Sequence, residues 1–348
     1  MNEVVVSMLY CPTCFREKLE LEIFEQEEER IINGVLWCPS CRLWYPIEDE
    51  LLELLPINLG YLEDRKQFEK KYRRVLSKIQ LPSISDLIEM LPADDRLISI
   101  KRKQQEHFDD YAVSGKQTYN EYENIPFWQA EDRLFIEFIQ KEIEEGKWLL
   151  EIGCAQGRST FKLMDLGINI IAFDISKGTV KQALQRYRSG KYNSKAVFFC
   201  ADGHKLPFIN NLFDYVFVYG VLHHLPDPAV TCQEIARVLK PGGLYLGSEN
   251  SRSVFRPIFD LLHNIFPLWY EEAGEEPLMS RRDLKKWFEG TGMEIKSRCS
   301  VYLFPGMVNW MSPKSAYQVI KWTDAVLTKI PVIKDNGGLI WIRSEKKV

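Results

Sequence analysis

Two cysteine pairs, Cys11-Pro12-Thr13-Cys14 and Cys38-Pro39-Ser40-Cys41, stand 23 residues apart near the start of the chain. Each pair can offer two thiolates to one Zn²⁺, and two pairs complete a closed tetrahedral shell. Four protein ligands leave no position for an activated water, so the metal implied is structural. A second group begins at the apolar run Trp148-Leu149-Leu150, which ends in Glu151 and Ile152. Gly153, Cys154, Ala155, Gln156 and Gly157 follow, with Ser159 or Thr160 as the expected cap of a helix. Glycines in such a loop allow a sharp turn and let a ligand approach the backbone closely. A further apolar run, Ile170-Ile171-Ala172-Phe173, ends in Asp174. There a doubly wound nucleotide-binding sheet carries the carboxylate that takes ribose hydroxyls. The third group is His223-His224, at the end of a later apolar run and suited to general-base work. Adjacent residues at a strand end point oppositely, so one of the two should face a substrate, and position favours His223.

The elements that would hold these residues alternate between buried strand and helix. After Asp174 come Cys200-Ala201-Asp202-Gly203-His204-Lys205-Leu206-Pro207-Phe208 and a strand running from Phe213 through Tyr219 toward Leu225. A helix over Glu234–Lys240, the turn Pro241-Gly242-Gly243 and a strand Leu244–Gly247 follow. This ordered series resembles the class I S-adenosylmethionine-dependent methyltransferases. Their first motif, an acid and three alternating glycines, reads here as Glu151, Gly153, Ala155 and Gly157, so alanine replaces the middle glycine. The resemblance implies an α/β fold, a doubly wound seven-stranded Rossmann-like sheet, and S-adenosyl-L-methionine as cofactor. It also implies a cofactor site built from Glu151, Gly153, Cys154, Ala155, Gly157, Asp174, Ile175, Asp202, Gly203 and Tyr219. In that family the antiparallel seventh strand closes the sheet. Gly338–Arg343 matches it, and Met293–Ser297 matches the sixth.

A length of 348 residues suggests about two domains, and 45% hydrophobic content suffices for a core. The formal charge of −4 gives no general attraction to nucleic acid. No run is long and apolar enough for a membrane span, and the N-terminus lacks the form of a signal peptide. A cytoplasmic protein is expected. Cys154, Cys200, Cys232 and Cys299 are scattered among core elements and read as buried thiols.

Residues 1–60 form the first expected unit. Glu20–Gln26 and Ile31–Trp37 read as a hairpin with Asn33-Gly34 as its turn or as a bulge. So small a module needs its metal as a staple. Gly34–Asp49, followed by Leu54-Leu55-Pro56, resembles the zinc-ribbon activator subunits of tRNA and protein methyltransferases. Those subunits cover an apolar edge of their enzyme, and the resemblance implies that here the module is fused to it. The glycine expected after Asp49 is missing, because Glu50-Leu51-Leu52 follows. The first sixty residues hold 12 acids and 4 bases, a poor surface for phosphate backbones.

Residues 61–107 read as a helical linker, with one helix around Phe68, Tyr72, Val75, Leu76 and Ile79 and another over Ser85–Met90. Lys101-Arg102-Lys103 reads as a solvated face. The methyltransferase domain is expected over 108–348. Tyr111 or Tyr119 would serve as lid residues, and Ala130–Ile143 as an amphipathic helix. Two segments exceed the minimal fold, 250–279 and 302–336, the latter with a helix around Ala316–Thr328. Their apolar content fits a hydrophobic pocket, a homodimer seam or a peripheral membrane contact. Together they are expected to roof the cavity. The leading expectation is O-methylation of a small or lipid-like metabolite. An rRNA or tRNA base methyltransferase is the alternative, and a non-catalytic cofactor-binding protein a third.

Overall fold

The computed structural model describes residues 1–89, 96–114, 123–192, 194–263, 278–302, 305–331 and 333–347. One continuous sheet runs through it. Its strands are β1 Glu20–Glu27, β2 Arg30–Trp37, β3 Trp44–Glu48, β4 Leu51–Leu54, β5 Trp148–Ile152, β6 Asn169–Asp174, β7 Ala196–Ala201, β8 Phe213–Tyr219, β9 Leu239–Asn250, β10 Met293–Glu294, β11 Ser297–Ser300 and β12 Leu339–Lys346. Spatial order is β1-β2-β3-β4-β7-β6-β5-β8-β9-β12-β10, with β11 also on β12. From β7 to β9 the strands are parallel, and β12 is antiparallel to β9. These parallel strands are almost wholly apolar because helices cover both faces. The expected sixth strand is present but broken into β10 and β11. No helix among the described residues is long and apolar enough to cross a membrane.

The N-terminal module joins the domain through its backbone. β4 pairs in parallel with β7, matching Leu52 with Phe199, Glu53 with Cys200 and Leu54 with Ala201. The module thereby closes the open edge of β7, whose unpaired amides and carbonyls would otherwise face solvent. In the hairpin the chain reverses at Glu28 and Glu29, while Asn33 and Gly34 sit within β2 opposite a register slip between Ile23 and Glu25. They mark a bulge. A Cβ on Gly34 would lie 2.8 Å from the Glu22 carbonyl oxygen. The absent glycine after Asp49 is replaced by strain: Asp49 and Glu50 take φ of 51° and 68°. Arg30, 2.5 Å from the buried Glu50 carboxylate, and Arg188, 3.2 Å away, hold that turn in place.

Several local expectations are corrected. The helix Arg158–Leu163 is N-capped by Gly157 at φ 83°, not by Ser159 or Thr160. Thr160 instead donates its hydroxyl to Glu151 at 2.6 Å. The helix expected over Glu234–Lys240 ends at Val238, and β9 absorbs Pro241-Gly242-Gly243 as a bulge against β8. The amphipathic helix starts earlier, over Pro126–Ile139, with Pro126 in its first turn. The linker boundary at 107/108 falls inside the helix Arg96–Ser114. Lys101 on that helix is buried, not solvated.

Candidate active site

A cavity of about 270 Å³ opens at the carboxyl ends of β5, β6, β7 and β8, where the strand order reverses about β5. Glu151, Gly153, Cys154, Ala155, Asp174, Ile175, Asp202, Gly203, Tyr219 and His223 all line it. Gly157 does not; a Cβ there would lie 2.4 Å from the Phe161 ring, so its role is to cap the helix under the loop. Gly153 (φ 74°) is closed to a side chain by Val221, 2.4 Å from its Cβ position. Ala155 takes φ 45°, the left-handed region that explains why glycine is the usual residue there. Its amide donates to Asp174 Oδ2 at 2.9 Å, and the Ser176 amide donates to Oδ1 at 3.0 Å.

Asp202 is held by one ammonium and one imidazole. Lys101 Nζ lies 2.6 Å from Oδ2, and His204 Nδ1 lies 3.2 Å from Oδ1. Burial would raise this carboxyl, yet the hydrogen bond from His204 and the Lys101 ammonium hold it well below the usual carboxylate range. Lys101 comes from the helix Arg96–Ser114. Its residues Lys101, Gln104, His107, Phe108 and Tyr111 line the cavity from one helix face. Their helical spacing was available in the sequence, but nothing local showed that this face was covered. Tyr119 lies outside the described residues.

The insertions contribute differently from expectation. From 250–279, Asn250, Arg256 and Leu278 reach the cavity, whereas Ile258 and Leu261 are exposed. Residues 264–277, including Phe266, Trp269 and Tyr270, lie outside the described residues. No described residue of 302–336 lines the cavity; the helix Pro313–Leu327 packs on the helix Pro126–Ile139 instead. The cover on the described side is the helix Arg96–Ser114.

His223 and His224 follow β8 on a single 3₁₀ turn, Leu222–His224. Strand alternation does not apply to a turn, and both line the cavity. Their ring centroids are 4.1 Å apart, and Phe108 meets His224 edge-on at 5.5 Å. Burial first, then the neighbouring His223 and His107, press the His224 pKa well below its ordinary value. His223 Nδ1 lies 2.8 Å from Glu249 on β9, a residue absent from the sequence-level reading. Arg158 also borders the cavity. It is clamped on Asp132 at 2.6 Å and lies over the Trp128 ring at 4.8 Å.

Two buried carboxyls near the floor are raised to about 8. For Glu151 burial is the cause, partly offset by the Thr160 hydroxyl; for Glu131 it is burial, then Asp132. Folded carboxyls of this kind keep their protons after the unfolded chain has lost its own. Their contribution therefore makes stability fall as pH rises from the ordinary value of 4.5 toward about 8. The Glu151→Gln protein is expected to lose less melting temperature across that window than the native one. Parallel melting curves for the two would count against the raised Glu151.

Residues 150–247 match the family described as methyltransferase domain, and residues 5–50 match the Trm112p-like protein family. A 27-O-demethylrifamycin SV methyltransferase of Amycolatopsis mediterranei is 32% identical over 102 residues, 29% of this chain and 38% of that protein. A demethylmenaquinone methyltransferase of Paenarthrobacter aurescens is 27% identical over 206 residues, 59% of this chain and 72% of that protein. The chain thus spans between 38% and 72% of the length of these two curated relatives. Among solved structures, a complex containing the Haloferax volcanii Trm112 methyltransferase activator is 20% identical. It covers 69% of this chain and 98% of that one, with a TM-score of 0.47.

Proposed function

We propose that this chain, a Trm112p-like module fused to a methyltransferase domain, carries methyl from S-adenosylmethionine to an oxygen of a small or lipid-like acceptor. The cofactor supplies an electrophilic methyl group on a sulfonium, so catalysis rests mainly on proximity and orientation. Asp174 would take the ribose hydroxyls, and Glu151 and the loop from Gly153 to Ala155 would hold the amino-acid end. Asp202, Gly203 and Ile175 would flank the adenine, with Tyr219 at the cavity floor. His223 would take the acceptor's hydroxyl proton. The observation that carries this reading is the imidazole of His223, held by a buried carboxylate at 2.8 Å while bordering the cavity that Glu151 and Asp174 line. Both curated relatives named above carry small-molecule acceptors in their names, which supports the acceptor class.

The cysteine cluster fits a structural Zn²⁺. The sulfurs of Cys11, Cys14, Cys38 and Cys41 lie within 4.8 Å of one another, with pairs at 3.5 and 3.6 Å. Tetrahedral Zn–S bonds of about 2.3 Å separate sulfurs by about 3.8 Å, close to that spacing. The module then acts as scaffold for the edge of the sheet.

Methyl-labelled S-adenosylmethionine, incubated with the protein and cell extract, tests the assignment. Label is expected in the organic-soluble, low-molecular-weight fraction. Asp174→Ala should weaken cofactor binding by about 1.5–3 kcal/mol, read by calorimetry. Label that precipitates with RNA and is released by nuclease would overturn the acceptor class. Unchanged cofactor affinity in the variant would overturn the role of Asp174.

A further inference from the structure

We propose that Glu249 sets the tautomer of His223, keeping the ring proton on Nδ1 and leaving Nε2 as the base toward the cavity. This rests on the reading of His223 as the base. The Glu249 side chain is fully buried, with 0% exposure. Its Oε1 accepts two backbone hydrogen bonds, from the amides of Val221 at 3.0 Å and Leu222 at 2.8 Å. Its Oε2 lies 2.8 Å from His223 Nδ1. An ionised carboxylate only accepts, so Nδ1 must carry hydrogen to make that contact. A neutral imidazole has one ring proton, and Nε2 therefore keeps its lone pair. The Asn250 amide nitrogen, 3.5 Å from Nε2, is a donor and matches an accepting Nε2. The neighbouring His224, with its pKa pressed down, stays neutral and adds no competing charge. Glu249 is thus a positioning residue, and its two backbone bonds fix which oxygen faces the ring.

Those backbone bonds also make the amide variant informative. In Glu249→Gln the side-chain oxygen must face the Val221 and Leu222 amides, because an NH₂ there would meet two donors. The NH₂ then points at Nδ1, which has to accept, and the ring proton moves to Nε2. The variant keeps shape and every backbone bond but presents the acceptor with a donor where the base should be.

Histidine-labelled ¹⁵N NMR reads this directly, with His223 identified by its loss in His223→Gln. The native protein is expected to show a protonated Nδ1 and a bare Nε2, and Glu249→Gln the reverse. Melting temperature should stay close to native and S-adenosylmethionine affinity within about twofold of it, while methyl transfer into the extract fraction labelled by the native protein falls roughly 100-fold or more. A native His223 protonated on Nε2 overturns the proposal, whether or not the variant folds. So does an unchanged tautomer in Glu249→Gln. An inverted tautomer with undiminished methyl transfer would uphold the role of Glu249 and overturn that of His223 as base.

Discussion

Stripping metal from the cysteine cluster is expected to unfold the N-terminal module and expose the β7 edge of the catalytic sheet. Residues 5–50 cannot bury enough apolar surface to fold alone. Their core is shared: Val5, Leu9, Cys11, Ile31 and Leu36 pack in one cluster with Phe199, Leu206 and Phe208 of the domain. Tyr10 donates its amide to the Pro207 carbonyl at 2.8 Å, and Leu9 bridges to Phe208. Structural zinc contributes about 10–16 kcal/mol in isolated finger peptides, comparable with the whole stability of a domain at about 5–15 kcal/mol. A chelator, or Cys38→Ser, should therefore lower the melting temperature steeply. Hydrogen exchange should accelerate at Leu52–Leu54 and at Phe199–Ala201, the two sides of the seam, and the freed edge should promote aggregation. Metal analysis at zero with an unchanged melting curve would sink the structural role.

Replacing Glu53 by alanine is expected to cost about 3–5 kcal/mol, because it leaves a buried guanidinium without its counter-charge. Glu53 and Arg65 are each 1% exposed and lie 2.7 Å apart. The second Glu53 oxygen is 3.3 Å from Lys177, which also pairs with Asp64 at 2.6 Å. From there the network reaches the candidate cofactor loop around Asp174. The Tyr61 hydroxyl accepts from the Lys177 amide at 2.8 Å and donates to Asp109 at 2.6 Å. Asp109 in turn accepts from Ser176 Oγ at 2.7 Å, next to Asp174. Glu53→Ala should thus weaken S-adenosylmethionine binding as well as stability, although Glu53 does not line the cavity. The double variant Glu53→Leu with Arg65→Met should recover most of the lost stability, since no buried charge remains unpaired. Denaturant titration of the three proteins decides it. A double variant no more stable than Glu53→Ala would mean that the stranded Arg65 charge is not the cause of the loss.

The helical linker and the catalytic strands were legible because their signals are local. Apolar runs of strand length between glycine-rich turns identify β5, β6 and β8 from a few adjacent residues. The linker helix Leu62–Lys78 announces itself through Phe68, Tyr72, Val75, Leu76 and Ile79. Where the reading went astray, the deciding interaction was distant. Lys101 looks like part of a solvated basic run until Asp202, 101 residues away, comes within 2.6 Å. The 302–336 insertion was expected over the cavity from its place at a strand end and its apolar content, yet its helix packs on the helix Pro126–Ile139.

The residue types and spacings by themselves determined the four-cysteine cluster, the glycine loop after Glu151, the acid ending β6 and the alternation of strand with helix. Each depends on neighbours within a turn or a short run, where sterics and hydrogen bonding are local. Tertiary structure alone decided that β4 continues the sheet at β7, that the helix Arg96–Ser114 covers the cavity, and that Glu249 meets His223. Parallel pairing brings together strands separated by whole crossovers, and the partner of a buried charge is chosen by what the packed core leaves within reach. A histidine pair in sequence can suggest a base; only the fold sets a carboxylate against one of them, Glu249 at 2.8 Å from His223 Nδ1.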